Sequence, residues 1–258
     1  MRLFKAFRGS GFLTFAGVSA ILAASWLHVV SSSVSASSVV SNAVMPMNDV
    51  WSTADFGAAF AMWTAMMFAM MTPSALPMIR IYSKVVQKRK SERREAAPVW
   101  VFAAGYAFAW VAFSAAAAAL QGALIYIGIF SMSAGLVNSV TGGIILVAGG
   151  IYQFSPLKNS CLKKCQSPLD FITENWKEGY SGTAGMGLKH GAYCIGCCWL
   201  LMGILFAAGL MNLLWIAIIT AFVFAEKNLM RFRWATKAGG LGLMLWGGWL
   251  LLTAILNA

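Results

Sequence analysis

The chain predicts an all-α, polytopic membrane bundle of about seven transmembrane helices with a cytoplasmic N-terminus. Three observations lead there. Of its 258 residues, 60% are hydrophobic and 10% charged, whereas soluble domains carry roughly a quarter charged residues. The apolar residues come in stretches close to the roughly 20 that a helix needs to cross hydrocarbon. Threading seven such stretches puts all nineteen Lys and Arg on one side. That side is cytoplasmic, because translocating juxtamembrane cations is costly.

The spans follow in order. The first covers residues 11–30. Arg2, Lys5 and Arg8 precede it like the n-region of a signal peptide, but its apolar stretch exceeds the usual h-region of roughly 7–15 residues. It is expected to remain as a signal-anchor. A Ser/Val-rich outer linker, residues 31–41, comes next. Span two is Phe56–Ile79, and Pro73 and Pro77 are expected to break it near its inner end. Residues 96–157 carry no charge and could hold two or three crossings. Three would move Lys227 to Lys237 outside, so the charge rule favours two, Val99–Ile127 and Leu136–Phe154, parted near Ser131–Gly135. Leu188–Ala208 and Met211–Ala225 form a hairpin turning at residues 209–212, with Asn212 as a helix cap. Gly239–Leu256 completes the set. Repeated glycines in spans four and seven permit close helix packing. The whole of residues 1–258 reads as one integral membrane domain.

The net charge of +11 does not call for nucleic acid, since the basic residues flank apolar spans instead of forming a stripe. Membrane lipid is the expected partner of that face, through anionic headgroups. No phosphate loop and no Ser/His/Asp set is present.

Five cysteines and one histidine fall on the inward side. Cys161 and Cys165 form Cys-x₃-Cys just after Pro156, and they would share a face if that segment coils. His190, Cys194 and Cys197/Cys198 stand at i, i+4 and i+7/i+8. On a helix they project from one face over roughly 12 Å. Thiolates with a neutral imidazole suit Cu(I) first, with zinc or iron as alternatives. Disulfides are disfavoured in a reducing cytoplasm. Met62, Met66 and Met70 repeat at i, i+4, i+8, with Met67 and Met71 in an adjacent row. Thioethers bind Cu(I) but hold Zn(II) weakly, so the stripe reads either as a soft-ion path to the cysteines or as helix packing. Met45 and Met47 precede it. Glu226 beside Lys227 reads as a local ion pair, with a metal role as the alternative. His28, alone at the outer end of span one, reads as interfacial.

Several strings carry a resemblance: Met66-Met-Phe-Ala-Met-Met-Thr-Pro73, Tyr152-Gln-Phe-Ser-Pro156 running on to Cys161 and Cys165, His190-Gly-Ala-Tyr-Cys194-Ile-Gly-Cys197-Cys198-Trp199, Met211-Asn-Leu-Leu-Trp215, and Glu226-Lys227. Over about residues 60–230 the chain resembles a bacterial family of metal-binding integral membrane proteins, grouped as a domain of unknown function and sometimes labelled copper chaperone. Gln166 departs from it where the family places a basic residue. The resemblance implies metal binding. The reading is a multi-pass protein of the bacterial inner membrane that binds or passes Cu(I) through a Cys/His cluster at the inner leaflet, and exchanges it with a copper enzyme or donor protein. The alternative is a membrane redox enzyme or oxygenase with a catalytic metal at the same cluster.

Overall fold

The computed structural model describes residues 10–35, 52–131, 136–210, 212–229 and 233–256. Met45, Met47, the basic cluster at 2–8 and most of the expected outer linker lie outside them. The described residues are all-α apart from a two-residue ladder. The helices are α1 (Ser10–Ser35), α2 (Thr53–Ser91), α3 (Val99–Tyr126), α4 (Ser139–Gln153), α5 (Pro156–Gln166), α6 (Pro168–Asn175), α7 (Gly179–Ala208), α8 (Leu213–Asn228) and α9 (Arg233–Leu256). Between α3 and α4, β1 (Phe130–Ser131) pairs antiparallel with β2 (Leu136–Val137).

Each of the seven apolar stretches is helical. Four helices, α2, α3, α7 and α9, are long and apolar enough to cross a membrane, and a fifth crossing results if α4 and α5 count as one span. α1 has only a shorter apolar core, Ala16–Ser31, and α8 has 16 residues. Seven crossings therefore exceed what helix length and composition alone support. The expected linker also begins later, since α1 continues through Ser35.

Local chemistry fixes the helix ends. Ser52 and Asp55 make a capping box on α2: the Ser52 N–H donates to Asp55 Oδ2 at 2.8 Å, and the Asp55 N–H donates to Ser52 Oγ at 3.3 Å. Asn212 caps α8 as expected, accepting from the Leu214 and Trp215 N–H groups. Pro156 ends the preceding run, and α4 and α5 bend by 64° across residues 154–155.

The expected break at Pro73 and Pro77 does not occur, and α2 runs unbroken through both. Pro73 has no N–H to give the carbonyl four residues back, at Ala69. The Trp26 indole N–H from α1 donates to that oxygen at 3.1 Å. A neighbouring helix thus supplies the missing donor, which is how membrane helices tolerate proline.

Glycines bring two pairs of helices close. At Gly105 and Gly187 an added Cβ would stand 2.1 Å from a backbone oxygen of the facing helix, so α3 and α7 meet backbone to backbone. Gly143 and Gly150 of α4 meet Gly247 and Gly240 of α9 in the same way. The first contact matters for function, because it seats the cysteine-bearing helix against Tyr106 of α3.

Candidate metal centre

α7 carries His190, Cys194, Cys197 and Cys198, all buried. Cys194 and Cys198 are one helical turn apart on one face. The Cys198 thiol donates to the Cys194 carbonyl at 2.9 Å and stands 3.9 Å from Met71 Sδ of α2. The Cys197 thiol donates to the same carbonyl at 3.1 Å. The segment with Cys161 and Cys165 does coil, as α5. From it Cys165 comes near Cys194 and Cys197. Cys161 is half-buried against Gly196, where a Cβ would stand 2.9 Å from its sulfur. All five cysteines are free.

Two polar groups enter this sulfur-lined region from other helices. Lys227, near the end of α8, is buried, and its Nζ donates to Cys194 Sγ at 2.8 Å and to Met71 Sδ at 3.8 Å. Tyr106 of α3 places its hydroxyl 3.2 Å from Cys194 Sγ and 3.4 Å from the Met71 carbonyl. An ammonium taken out of water costs several kcal/mol unless it is paired, so negative charge on the facing sulfur would stabilise Lys227.

The expected Glu226–Lys227 ion pair is absent. Successive helical residues point about 100° apart, and Glu226 turns to Lys158 of α5. The Lys158 ammonium donates to both Glu226 carboxylate oxygens at 2.9 Å and also to Gln153. Both charged side chains are almost fully enclosed. Gln166, at the position where a basic residue was expected, donates to the Glu226 carbonyl at 2.6 Å. On the exposed side of α5, Lys164 pairs with Glu174 of α6, and that hydrogen bond raises the lysine pKa.

His190 sits among the rings of Phe102, Tyr106 and Phe171, with centroids 5.2 to 6.1 Å away. Its Nδ1 is buried with no hydrogen-bond partner. A stranded buried nitrogen costs about 1–3 kcal/mol, which a bound cation or a bridging group would relieve.

Met62, Met66, Met67, Met70 and Met71 are all buried. Both rows are enclosed alike, which is what helix packing demands, so burial by itself marks no path. Met71 is set apart by its contacts with Cys198 and Lys227.

The donor chemistry suits a soft cation. Among the described residues, however, no group of three or more His, Cys, Asp and Glu is disposed to hold a metal ion. The sulfur contacts run from one atom to the next. A cation at Cys194 and Cys198 would therefore draw on two thiolates and the Met71 thioether, and this fits Cu(I) better than Zn(II), which takes four N, S or O ligands.

Residues 60–250 match the model of the PpoB2 family, described as copper chaperone. The chain belongs to that family. The match passes the expected limit near 230 and takes in most of α9, the helix packed on α4 through glycines. No curated protein and no solved structure matches the chain. Within this copper chaperone family member, the structure draws Cys165, Cys194, Cys197, Cys198 and Met71 together and leaves Met62 at the far end of the stripe. Glu226 belongs to a separate pair.

Lys227 and Tyr106 were not read as site residues from the sequence. A lysine at the end of an apolar span reads as interfacial, and a tyrosine within the uncharged run 96–157 reads as packing. The one available signal for Lys227 was its place next to Glu226 after a long uncharged run.

Proposed function

We propose that the chain binds Cu(I) as cargo within a helical membrane domain spanning residues 1–258 and passes it to another protein, acting as a copper chaperone. The observation that carries this reading is the approach of Cys194, Cys198 and Met71 sulfurs from two helices around one buried ammonium. Membership of a copper chaperone family supports it. Soft sulfur retains Cu(I), and thiols give up their protons when a cation binds.

In this reading Cys194 and Cys198 bind the ion and Met71 completes the set. Cys165 and Cys197, within reach of them, offer the next thiols for exchange, with Cys161 and His190 at the margins. Met62, Met66, Met67 and Met70 line the approach along α2. The protein lies in the bacterial inner membrane, with all seven apolar stretches embedded and the sulfur region toward the inner leaflet. The receiving partner is a copper enzyme or a second copper carrier.

Purified full-length protein, extracted gently under reducing conditions, tests the reading by elemental analysis. Copper is expected at about one ion per chain. Cys194→Ser with Cys198→Ser should remove it, while Cys161→Ser should keep it. Copper retained at full stoichiometry in the double variant rejects the assignment.

A further inference from the structure

We infer that Lys227 restricts the sulfur site to a monovalent soft cation, Cu(I) or Ag(I), by supplying one fixed positive charge. The inference rests on the copper reading given above and deepens it. Its basis is charge balance in a place from which water is excluded. The Lys227 ammonium lies 2.8 Å from Cys194 Sγ and 3.8 Å from Met71 Sδ, and Cys198 Sγ lies 3.9 Å from the same thioether.

The other groups around this point are neutral or already committed: the Cys197 thiol donates to the Cys194 carbonyl, Cys165 is a free thiol, and His190 is enclosed by aromatic rings. Tyr106 offers a hydroxyl, and Met71 offers a thioether. Glu226, the carboxylate next in sequence, is taken by Lys158. Lys227 therefore has sulfur as its counter-charge.

A cation entering between Cys194 and Cys198 displaces one proton from each thiol that becomes a ligand. Two thiolates, one ammonium and one monovalent ion are together neutral. With a divalent ion the same set retains a net positive charge, and an uncompensated buried charge is costly. Recruiting a third thiolate would restore balance, but Cys165 and Cys197, though nearby, do not make with these two a group of three disposed to hold a metal ion among the described residues. Lys227 is thus a positioning residue that acts through charge and does not ligate.

Removing the charge should invert the preference. In Lys227→Leu, two thiolates with Cu(I) are left net negative, whereas two thiolates with Zn(II) become neutral. The test uses the full chain in detergent or nanodiscs under reducing conditions, titrated with Cu(I), Ag(I) and Zn(II) against chromophoric competitors. The wild type is expected to bind Cu(I) and Ag(I) and to hold Zn(II) far more weakly. Lys227→Leu, which removes the charge without adding a sulfur donor, should lose on the order of tenfold or more in affinity for both monovalent ions and gain a comparable factor for Zn(II). Lys227→Arg, which keeps the charge, should keep the wild-type order. Size-exclusion profiles identify folded material, and Lys227→Gln replaces the Leu variant if that one fails to fold.

A folded, neutral variant with wild-type Cu(I), Ag(I) and Zn(II) affinities overturns the inference and leaves the copper reading standing. Loss of the monovalent preference in folded Lys227→Arg overturns it too. A wild type that binds neither Cu(I) nor Ag(I) removes both.

Discussion

Lys158 and Lys227 are both buried in an apolar bundle, yet the two lysines meet opposite surroundings. Lys158 is closed off by Glu226 and Gln153, so its charge is settled within the chain. Lys227 comes from the residue after Glu226 and faces a thiol and a thioether instead. A carboxylate carries its negative charge at neutral pH without help, while a thiol does so only beside a cation. The Lys158 pair therefore reads as a permanent tie between α5 and α8. The Lys227 region is one whose charge state depends on what else is bound.

The largest expected effect tests the first half of that contrast. Glu226→Gln leaves Lys158 buried without its counter-ion and should destabilise the protein by about 3–5 kcal/mol. Thermal unfolding in detergent measures it. Adding Lys158→Met should recover most of the loss, and no recovery would mean the pair is not the source. By comparison, Lys227→Met removes a charge whose partner can become a neutral thiol. Its unfolding midpoint should fall by clearly less than that of Glu226→Gln, and an equal fall would erase the distinction between the two lysines.

Next comes the seat of α7. Gly187→Ala places a methyl against the Phe102 carbonyl at the α3–α7 contact. It should cost about 1–3 kcal/mol by overpacking and also weaken copper binding, because Tyr106 lies on the helix that is pushed away. The same substitution at Gly185, where a Cβ meets nothing within 4 Å, should leave both stability and copper content near wild type. Tyr106→Phe removes one hydroxyl contact with Cys194 and one with the Met71 carbonyl. A loss of about 0.5–1.5 kcal/mol is expected in thermal unfolding. The smallest effect is expected at the far end of the methionine stripe. Met62→Leu conserves volume and should cost under about 1.5 kcal/mol with copper content unchanged, whereas Met71→Leu should lower Cu(I) affinity in the competition titration. Equal responses at Met62 and Met71 would deny Met71 its special place.

The helical architecture was legible because its causes are local. Long uncharged runs, Asn212 before an apolar stretch, and repeated glycines all act through near neighbours or through a simple solvent preference. The coiling of Cys161 and Cys165 onto one face was equally accessible. What misled was treating each charge as belonging to its sequence neighbour. Glu226 and Lys227 are adjacent in the chain, but helix geometry turns them toward different partners. Pro73 and Pro77 misled for a related reason, since the loss of a local donor was made good by Trp26 from another helix.

Sequence alone therefore determined the apolar helical character, the Asn212 cap, and the inventory of soft donors, because each depends on composition or on residues a few positions apart. Tertiary structure decided which sulfur meets which ammonium. That outcome depends on how α2, α3, α5, α7 and α8 pack, which brings together side chains more than a hundred residues apart, such as Met71 and Lys227. No local pattern encodes a contact between helices, so the charge that faces Cys194 became visible only once the bundle was assembled.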